Sequence, residues 1–103
     1  AVPLRCTQNP TTGEEWRRGW HPEVIPPAHA AESVLVAGAG PAGLEAALQL
    51  GRRGYKVMLA EATRELGGRI LKDSRLPGLG SWIRVRDHRV HMLAKLDTVE
   101  IFR

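Results

Sequence analysis

The chain has 103 residues, of which 15 are lysine or arginine and 11 are aspartate or glutamate, so its formal net charge is +4. This length allows one small domain at most, and the basic residues are scattered among acidic and apolar ones, which argues against nucleic-acid binding. The sequence has no apolar run near the roughly 20 residues of a membrane span, no signal-peptide core in its first 30 residues and one cysteine, so we expect a cytoplasmic location, no membrane insertion and no internal disulfide.

A polar, turn-rich leader opens the chain. Residues 6–23 show no strand or helix period, although they contain Trp16 and Trp20. Tryptophan is mostly buried in folded proteins, so we expect both rings to dock, either onto the rest of this chain or onto protein outside it. Residues 24–32 are rich in proline and alanine and are predicted to form an extended linker. Leader and linker, residues 1–32, are therefore distinguished from the domain that follows.

Two polar features of the leader invite comparison with metal sites. His21 and Glu23 flank Pro22, but no third or fourth ligand lies near them in the sequence, so a solvated turn is predicted instead. Cys6, considered alone, is an isolated thiol, because an iron–sulfur cluster takes four thiolates.

The next predicted element is a strand followed by a glycine-rich turn. Residues 33–43 read SVLVAGAGPAG, in which the apolar run 34–37 predicts a parallel strand buried on both faces. The G-x-G-x-x-G pattern after it is typical of dinucleotide-binding α/β domains: Gly38 turns the chain, Gly40 lets backbone approach a pyrophosphate, and Gly43 lets the next helix pack closely. The alternative is that the glycines serve packing alone. The candidate nucleotide-contacting residues here are Gly38, Ala39, Gly40, Pro41, Ala42 and Gly43.

A helix, a second strand and an acid continue this pattern. Residues 42–53 predict a helix closed by a following glycine. Residues 55–61 predict a strand ending in Glu61, 21 residues after Gly40 and near the spacing of about 20 at which an acid binds the ribose hydroxyls. Ala62 follows as a further candidate for contact with the nucleotide. The predicted buried face of the helix comprises Leu44, Ala47, Leu48 and Gly51.

A Gly-Gly pair adds information about the cofactor. Gly67 comes six residues after Glu61, a pattern that resembles the flavoprotein variant of the fingerprint found in disulfide reductases and amine oxidases. In those proteins the acid holds the adenosine ribose and the Gly-Gly turn passes near the same nucleotide, whereas the residues alone also fit an ordinary loop turn. Arg69 is either a bidentate phosphate donor or a solvated surface residue. Gly68 and Arg69 are therefore further candidates.

The last predicted elements are a helix over residues 81–96 and a strand over residues 98–102. At 100° per residue, one face of the helix carries Ile83, Val90, Leu93 and Ala94. Arg86 and Asp87 fall inside this stripe, and charged groups on a buried face need partners. Either they lie at its edge with solvated ends, or they bond to protein outside this chain or help form a route to an electron acceptor.

Together these elements predict an α/β fold: a Rossmann-like β-α-β-α-β half of a FAD/NAD(P)-binding domain over residues 33–103, preceded by an irregular leader. A complete doubly wound domain has more strands. We therefore expect either a fragment of a larger enzyme or a chain that needs a partner over its exposed sheet edge.

The leader carries a resemblance to a known family. Residues 6–23, CTQNPTTGEEWRRGWHPE, resemble the stretch between flavin barrel and nucleotide domain in the trimethylamine, dimethylamine and histamine dehydrogenase family, to which 2,4-dienoyl-CoA reductase is more distantly related. The resemblance continues through residues 33–43, 61–69 and 76–87. The leader and the Leu-Pro-Gly-Leu-Gly segment are specific to this family, whereas the glycine fingerprint is not.

The resemblance implies a parent enzyme with a (β/α)₈ barrel holding covalent FMN, a 4Fe-4S cluster and two nucleotide-binding domains. Amine substrate would reduce the flavin, and electrons would pass through the cluster to an electron-transferring flavoprotein. The nucleotide fold would hold ADP, or FAD as in the reductase relatives. Cys6 matches the fourth, C-terminal cluster ligand. The parent is expected to be a homo-oligomer.

This chain differs from the family in the parts of the parent enzyme that it does not contain. It lacks the barrel, the other three cysteines and the second nucleotide domain, so we expect no catalysis by this polypeptide alone. Two other functions stay open: the FAD-binding part of an NADPH-dependent dienoyl-CoA or enoate reductase, and a non-catalytic nucleotide-binding module.

Overall fold

A computed structural model describes residues 4–21, 24–28 and 31–103. Its centre is a parallel three-stranded sheet in the order β1-β2-β3, with Leu35 of β1 opposite Met58 of β2, and Met58 opposite Glu100 of β3. Because parallel neighbours need crossovers, helices lie between consecutive strands, which confirms the predicted Rossmann-like β-α-β-α-β arrangement. The strands are β1 (Ser33–Ala37), β2 (Lys56–Ala60) and β3 (Val99–Phe102), and the α-helices are α1 (Glu15–Arg18), α2 (Pro41–Arg52), α3 (Ile70–Asp73) and α4 (Ile83–Ala94).

Helix α2 supplies one side of the hydrophobic core. Pro41 occupies its first turn, where a missing N–H costs nothing. The predicted apolar face is confirmed, because all four of its residues are buried. The three of them that carry side chains pack against Val57 and Leu59 of β2 and Leu93 of α4, and each fully buried leucine contributes about 1.5–3 kcal/mol relative to exposure. This core fixes the start of α2 against the carboxyl ends of the strands.

Helix α4 differs from its prediction in where it starts and which face it buries. A 3₁₀ turn, Gly80–Trp82, precedes it, so the α-helix begins two residues later than predicted. Its buried residues are Val85, Arg89 and Leu93. The prediction is correct for Leu93 and wrong for Ala94, which is exposed. The reason is that buried Arg89 has polar partners, which an apolar periodicity does not register.

Within the described residues, 4–21, 24–28 and 31–103, strand β1 is covered on one face only. The prediction that both of its faces are buried is therefore wrong for this part of the chain. Its residues alternate between exposed and half-buried, and Leu35 is 62% exposed. Met58 of β2 and Phe102 of β3 are likewise exposed. Successive side chains of a strand point to opposite faces of the sheet. The side chains between these exposed residues pack against the helices on one face, so the exposed residues lie on the other, uncovered face.

The leader is more ordered than its sequence suggests. Helix α1 forms one turn where no periodicity was predicted, and Gly19 ends it in the left-handed region with φ 67°. Just before α1, the buried carboxylate of Glu14 accepts hydrogen bonds from Arg5, Arg17 and Arg18. Arg17 and Arg18 follow at i+3 and i+4, the spacing at which helical side chains meet. We call this group the Glu14 cluster.

The two leader tryptophans behave differently. Trp20 is 45% exposed and lies beneath the Arg18 guanidinium, whose carbon is 4.9 Å from the ring centroid. Trp16 is 91% exposed. The prediction that Trp16 docks onto the rest of this chain is therefore wrong for the described residues. No helix among the described residues is both long and apolar enough to cross a lipid bilayer.

The linker runs along the end of α2. The Ala28 N–H donates to the Arg53 carbonyl at 3.0 Å, and Arg53 Nε donates to the Pro26 carbonyl at 3.1 Å. The same guanidinium lies 5.8 Å from the centroid of the Tyr55 ring. Pro26 and Ala28 thus lie at the end of α2 that is opposite its glycine turn.

Candidate nucleotide-binding site

The three fingerprint glycines differ in backbone conformation and in the space around them. Gly38 has φ +99°, which favours glycine, and it turns the chain out of β1. A Cβ added at Gly43 would lie 1.8 Å from the Gly38 carbonyl oxygen, so the start of α2 can pack here only without a side chain. Gly40 has an ordinary φ of −74°, and an added Cβ would have no neighbour within 4 Å. Packing explains Gly43 but does not explain Gly40.

The glycine turn leads directly into the amino end of α2, which therefore lies beside the fingerprint glycines. Gly40 is the N-cap residue and offers no side-chain cap, while its carbonyl accepts the Leu44 N–H at 2.9 Å. Pro41 has no N–H, so the free donors of the first turn belong to Ala42 and Gly43. Ala42 is exposed and Gly43 half-buried. Free amides at the positive end of a 12-residue helix favour an anion.

Glu61 is fixed beside this turn. It follows β2, and its Oε2 accepts the N–H of fully buried Ala39 at 2.8 Å. Its Oε1 accepts the Thr63 N–H at 3.1 Å. These amides, first that of Ala39, lower the pKa of the Glu61 carboxyl. The group is therefore an oriented anion with lone pairs left for hydroxyl donors, and Ala62 lies exposed next to it.

The Gly-Gly turn packs directly on the glycine turn. The Gly67 N–H donates to the Ala39 carbonyl at 2.7 Å, and a Cβ on Gly68 would lie 3.1 Å from Gly40 Cα. The Gly-Gly turn is therefore attached to the glycine turn, and its contact with a nucleotide stays a prediction. Residues 38–43, 61–62 and 67–68 thus form one assembly, which we call the glycine cradle.

Arg86 supports this assembly from behind, a role that the sequence did not reveal. Its Nε donates to the Leu66 carbonyl at 2.9 Å, immediately before the Gly-Gly turn. A Cβ on Gly67 would lie 2.9 Å from Arg86 Cγ, so the contact is close. Its Nη1 donates to Asp87 at 2.6 Å. Arg86 therefore has partners inside this chain, and the expected bond to outside protein is not needed to satisfy it.

Two cavities flank Glu61. One, of about 620 Å³, is bounded by Glu61 and Gly68 together with further charged side chains. The other, of about 530 Å³, lies toward Gly38, Ala62 and Phe102. The first has a positive balance, which suits a polyanion. Its ionisable lining residues are Glu61, Arg64, Glu65, Arg69, Lys72 and Arg75.

Arg69 lines the larger cavity without bonding to the glycine turn. Its side chain is 86% exposed, and its Nε lies 3.3 Å from an oxygen of Asp73 one helical turn later. This placement agrees with the solvated interpretation of Arg69, although it leaves the guanidinium at the rim of the cavity.

Cys6 lies apart from the glycine cradle, exposed in the leader. Its Sγ accepts the Gln8 N–H at 3.4 Å, and this bond, followed by the Asn9 amide, lowers the pKa of the thiol. The thiol bounds a cavity of about 460 Å³ beside Glu45 and Arg89. A thiolate held by amides fits one ligand of a cluster, and the chain has no second cysteine.

The described part of the chain contains no group of three or more His, Cys, Asp or Glu side chains able to hold a metal. Of the pair considered in the sequence, His21 is described and Glu23 lies outside the described residues. The solvated-turn interpretation of that pair stays a prediction.

Relatives of known identity share this architecture. The chain is 50% identical over 95 residues to dimethylamine dehydrogenase of Hyphomicrobium, covering 92% of this chain and 13% of that protein. The histamine dehydrogenase structure from Rhizobium sp. 4-9 matches with 54% identity and TM-score 0.91, over 95% of this chain and 15% of that one. The 6-hydroxypseudooxynicotine amine oxidase structure from Pseudomonas geniculata N1 matches with 53% identity and TM-score 0.92, over 96% and 15% respectively.

These matches extend over the leader as well as the glycine cradle, and they confirm the resemblance found in the sequence. The chain spans only a small part of each of these proteins. The family model for FAD dependent oxidoreductases matches residues 33–95, from β1 to the end of α4. This chain therefore belongs to the FAD dependent oxidoreductase family. It corresponds to one region of the much longer dimethylamine and histamine dehydrogenases.

Proposed function

We propose that the glycine cradle binds adenosine diphosphate, as ADP or as the ADP half of FAD, within a larger amine-oxidising flavoenzyme. The observation that carries this proposal is Gly40. Its backbone conformation suits any residue, and a Cβ added there would have no neighbour within 4 Å among the described residues. A ligand that approaches the backbone closely is the remaining reason for glycine at this position, and in such folds that ligand is a pyrophosphate.

The surrounding groups fit the rest of the nucleotide. The Ala42 and Gly43 amides face the position of the phosphates at the start of α2. Glu61, ionised and fixed by the Ala39 amide, is the acceptor for the ribose hydroxyls. The cationic cavity beside Glu61 offsets the phosphate charge. We infer that Arg69 contributes to this field rather than to a bidentate contact.

The remainder of the enzyme is inferred from the amine dehydrogenases. In this proposal a barrel with FMN precedes the chain, Cys6 is one of four thiolate ligands of a 4Fe-4S cluster, and an electron-transferring flavoprotein accepts the electrons of a cytoplasmic homo-oligomer. The support is a sequence identity of 50% to dimethylamine dehydrogenase and 54% to histamine dehydrogenase, in alignments that include the leader. Flavin and cluster supply the redox chemistry. The residues of this chain bind and orient the nucleotide and contribute one thiolate. We call this protein the parent enzyme.

The test is to identify the nucleotide in the purified parent enzyme. Acid denaturation followed by mass spectrometry is expected to release about one ADP per chain, as one site requires. Release of FAD instead would still support nucleotide binding by the glycine cradle, but it would favour the dienoyl-CoA or enoate reductase alternative for the parent enzyme. Absence of both nucleotides would overturn the proposal.

A matched pair of variants assigns the site. Gly40→Val places a side chain where the pyrophosphate would lie and is expected to abolish nucleotide retention. Gly80→Val is the control, because Gly80 also has open surroundings and does not bound either cavity beside Glu61. Equal nucleotide content in the two variants would show that the glycine cradle is not the binding site.

A further inference from the structure

Arg89 joins three parts of the chain that are distant in sequence. Its side chain is 10% exposed, and its Nε donates to Glu45 Oε2 of α2 at 2.7 Å. Its Nη1 donates to the Val85 carbonyl one turn earlier in α4, and its Nη2 to the Gln8 carbonyl of the leader, each at 2.9 Å. A buried guanidinium is tolerated only when it is paired in this way.

Gln8 lies between Arg89 and Cys6. Its carbonyl accepts the hydrogen bond from Arg89, and its own N–H donates to Cys6 Sγ at 3.4 Å. The peptide unit that contains this carbonyl is planar, so holding the carbonyl fixes the orientation of that unit. The backbone that presents the Gln8 N–H to the sulfur is thereby restrained.

Arginine suits this task better than lysine. Its planar fork supplies donors to the carboxylate and to two carbonyls at once, and it keeps its charge when buried. Glu45 supplies the counter-charge from α2, the helix whose amino end forms part of the glycine cradle. The leader is thereby fixed to the nucleotide-binding helix through one side chain.

We propose that Arg89 is a positioning residue that holds the Gln8 backbone so that its N–H donates to Cys6, and that it thereby sets the stability and reduction potential of a cluster bound there. This rests on the proposed function, in which Cys6 is a cluster ligand. Hydrogen bonds to ligating sulfur stabilise the more negative, reduced cluster and raise its potential. Outer partners of ligands commonly change metal affinity by about 10- to 100-fold.

The experiment compares three variants of the parent enzyme. Arg89→Met keeps the volume and removes all donors, Arg89→Lys keeps the charge, and Arg84→Met removes an exposed arginine from the same helix and the same cavity rim. Measurements are the midpoint potential of the cluster, its electron paramagnetic resonance spectrum, the rate of iron release to a chelator, and amide hydrogen exchange of residues 6–9.

Arg89→Met is expected to lower the midpoint potential, alter the resonance spectrum, release iron on the order of 10-fold faster and speed exchange at Gln8. Arg89→Lys should recover part of each change, and Arg84→Met should match the wild type. A potential and exchange rates in Arg89→Met equal to those of Arg84→Met would overturn the proposal.

Hydrogen exchange separates this inference from the function on which it rests. If the parent enzyme contains no iron or sulfide, the cluster assignment fails, and with it the inferred effect on potential. Exchange at residues 6–9 still reports whether Arg89 holds the peptide. If the cluster is present and neither exchange nor potential responds to Arg89→Met, the proposed function stands and the inference fails.

Discussion

The leader and the glycine cradle keep their shapes by different forces. The leader is held by charged groups: the buried Glu14 carboxylate accepts from three half-exposed arginines, and Arg89 holds Gln8. The glycine cradle is held by close backbone packing above an apolar core that includes fully buried Leu44 and Leu59. The surroundings of Cys6 should therefore respond to pH, salt and single charges, whereas the glycine cradle should respond to volume.

The largest expected effect comes from adding volume to the glycine cradle. Gly43→Ala places a Cβ 1.8 Å from the Gly38 carbonyl oxygen, so either α2 or the turn must move. We expect a loss of about 3 kcal/mol in the local free energy of opening, together with loss of the nucleotide. Amide hydrogen exchange of α2 and nucleotide content measure the two effects.

The same variant tests the comparison of the two regions. Gly80→Ala is the control, because a Cβ there meets no atom within 4 Å. Exchange of residues 14–18 should be unchanged in both proteins, since the Glu14 cluster does not rest on Gly43. If the leader loosens along with α2, the two regions form one cooperative unit and the distinction between them is wrong.

A smaller effect is expected when charge rather than volume is changed in the glycine cradle. Glu61→Gln keeps the size of the side chain but replaces one of its two acceptor oxygens with an amide donor, which meets the N–H of Ala39 or Thr63. We expect ADP to bind roughly 10-fold more weakly, with little change in the fold. Calorimetric titration of nucleotide-free parent enzyme measures the affinity.

Glu65→Gln is the matched control for this change, since Glu65 is exposed and lines the same cavity. Equal affinities of the two variants for ADP would show that Glu61 contributes only general negative charge and does not bind the ribose.

The glycine cradle could be predicted from the sequence to a much greater extent than the leader could. The glycine pattern, the apolar face of α2 and the acid after β2 are local signals with fixed spacings, and the structure has the turn at Gly38, the buried face of α2 and the carboxylate beside the turn. The buried Arg89 was not predicted, because two of its three partners lie 44 and 81 residues away. Helix α1 spans four residues, too few to show a period. The exposure of Leu35 depends on which elements cover the sheet, which a strand pattern does not specify.

The smallest expected effect belongs to the Glu14 cluster and depends on pH. Hydrogen bonds from Arg17 and Arg5 lower the pKa of Glu14 from 4.5 to about 2. A carboxyl whose folded pKa is below its unfolded value contributes its full stabilisation above pH 4.5, and that contribution is lost as pH falls toward about 2.

Exchange of residues 14–18 in the parent enzyme should therefore accelerate, relative to the intrinsic rate, when pH falls from about 5 to about 3.5. Glu14→Gln should exchange faster than wild type at the higher pH and lose this pH dependence. Added salt should weaken the wild-type protection, because the three arginine side chains are 51–54% exposed and their charges are screened. Protection of α2 should be insensitive to salt. If protection of the leader is likewise insensitive to salt and to Glu14→Gln, then packing rather than charge holds the leader in place.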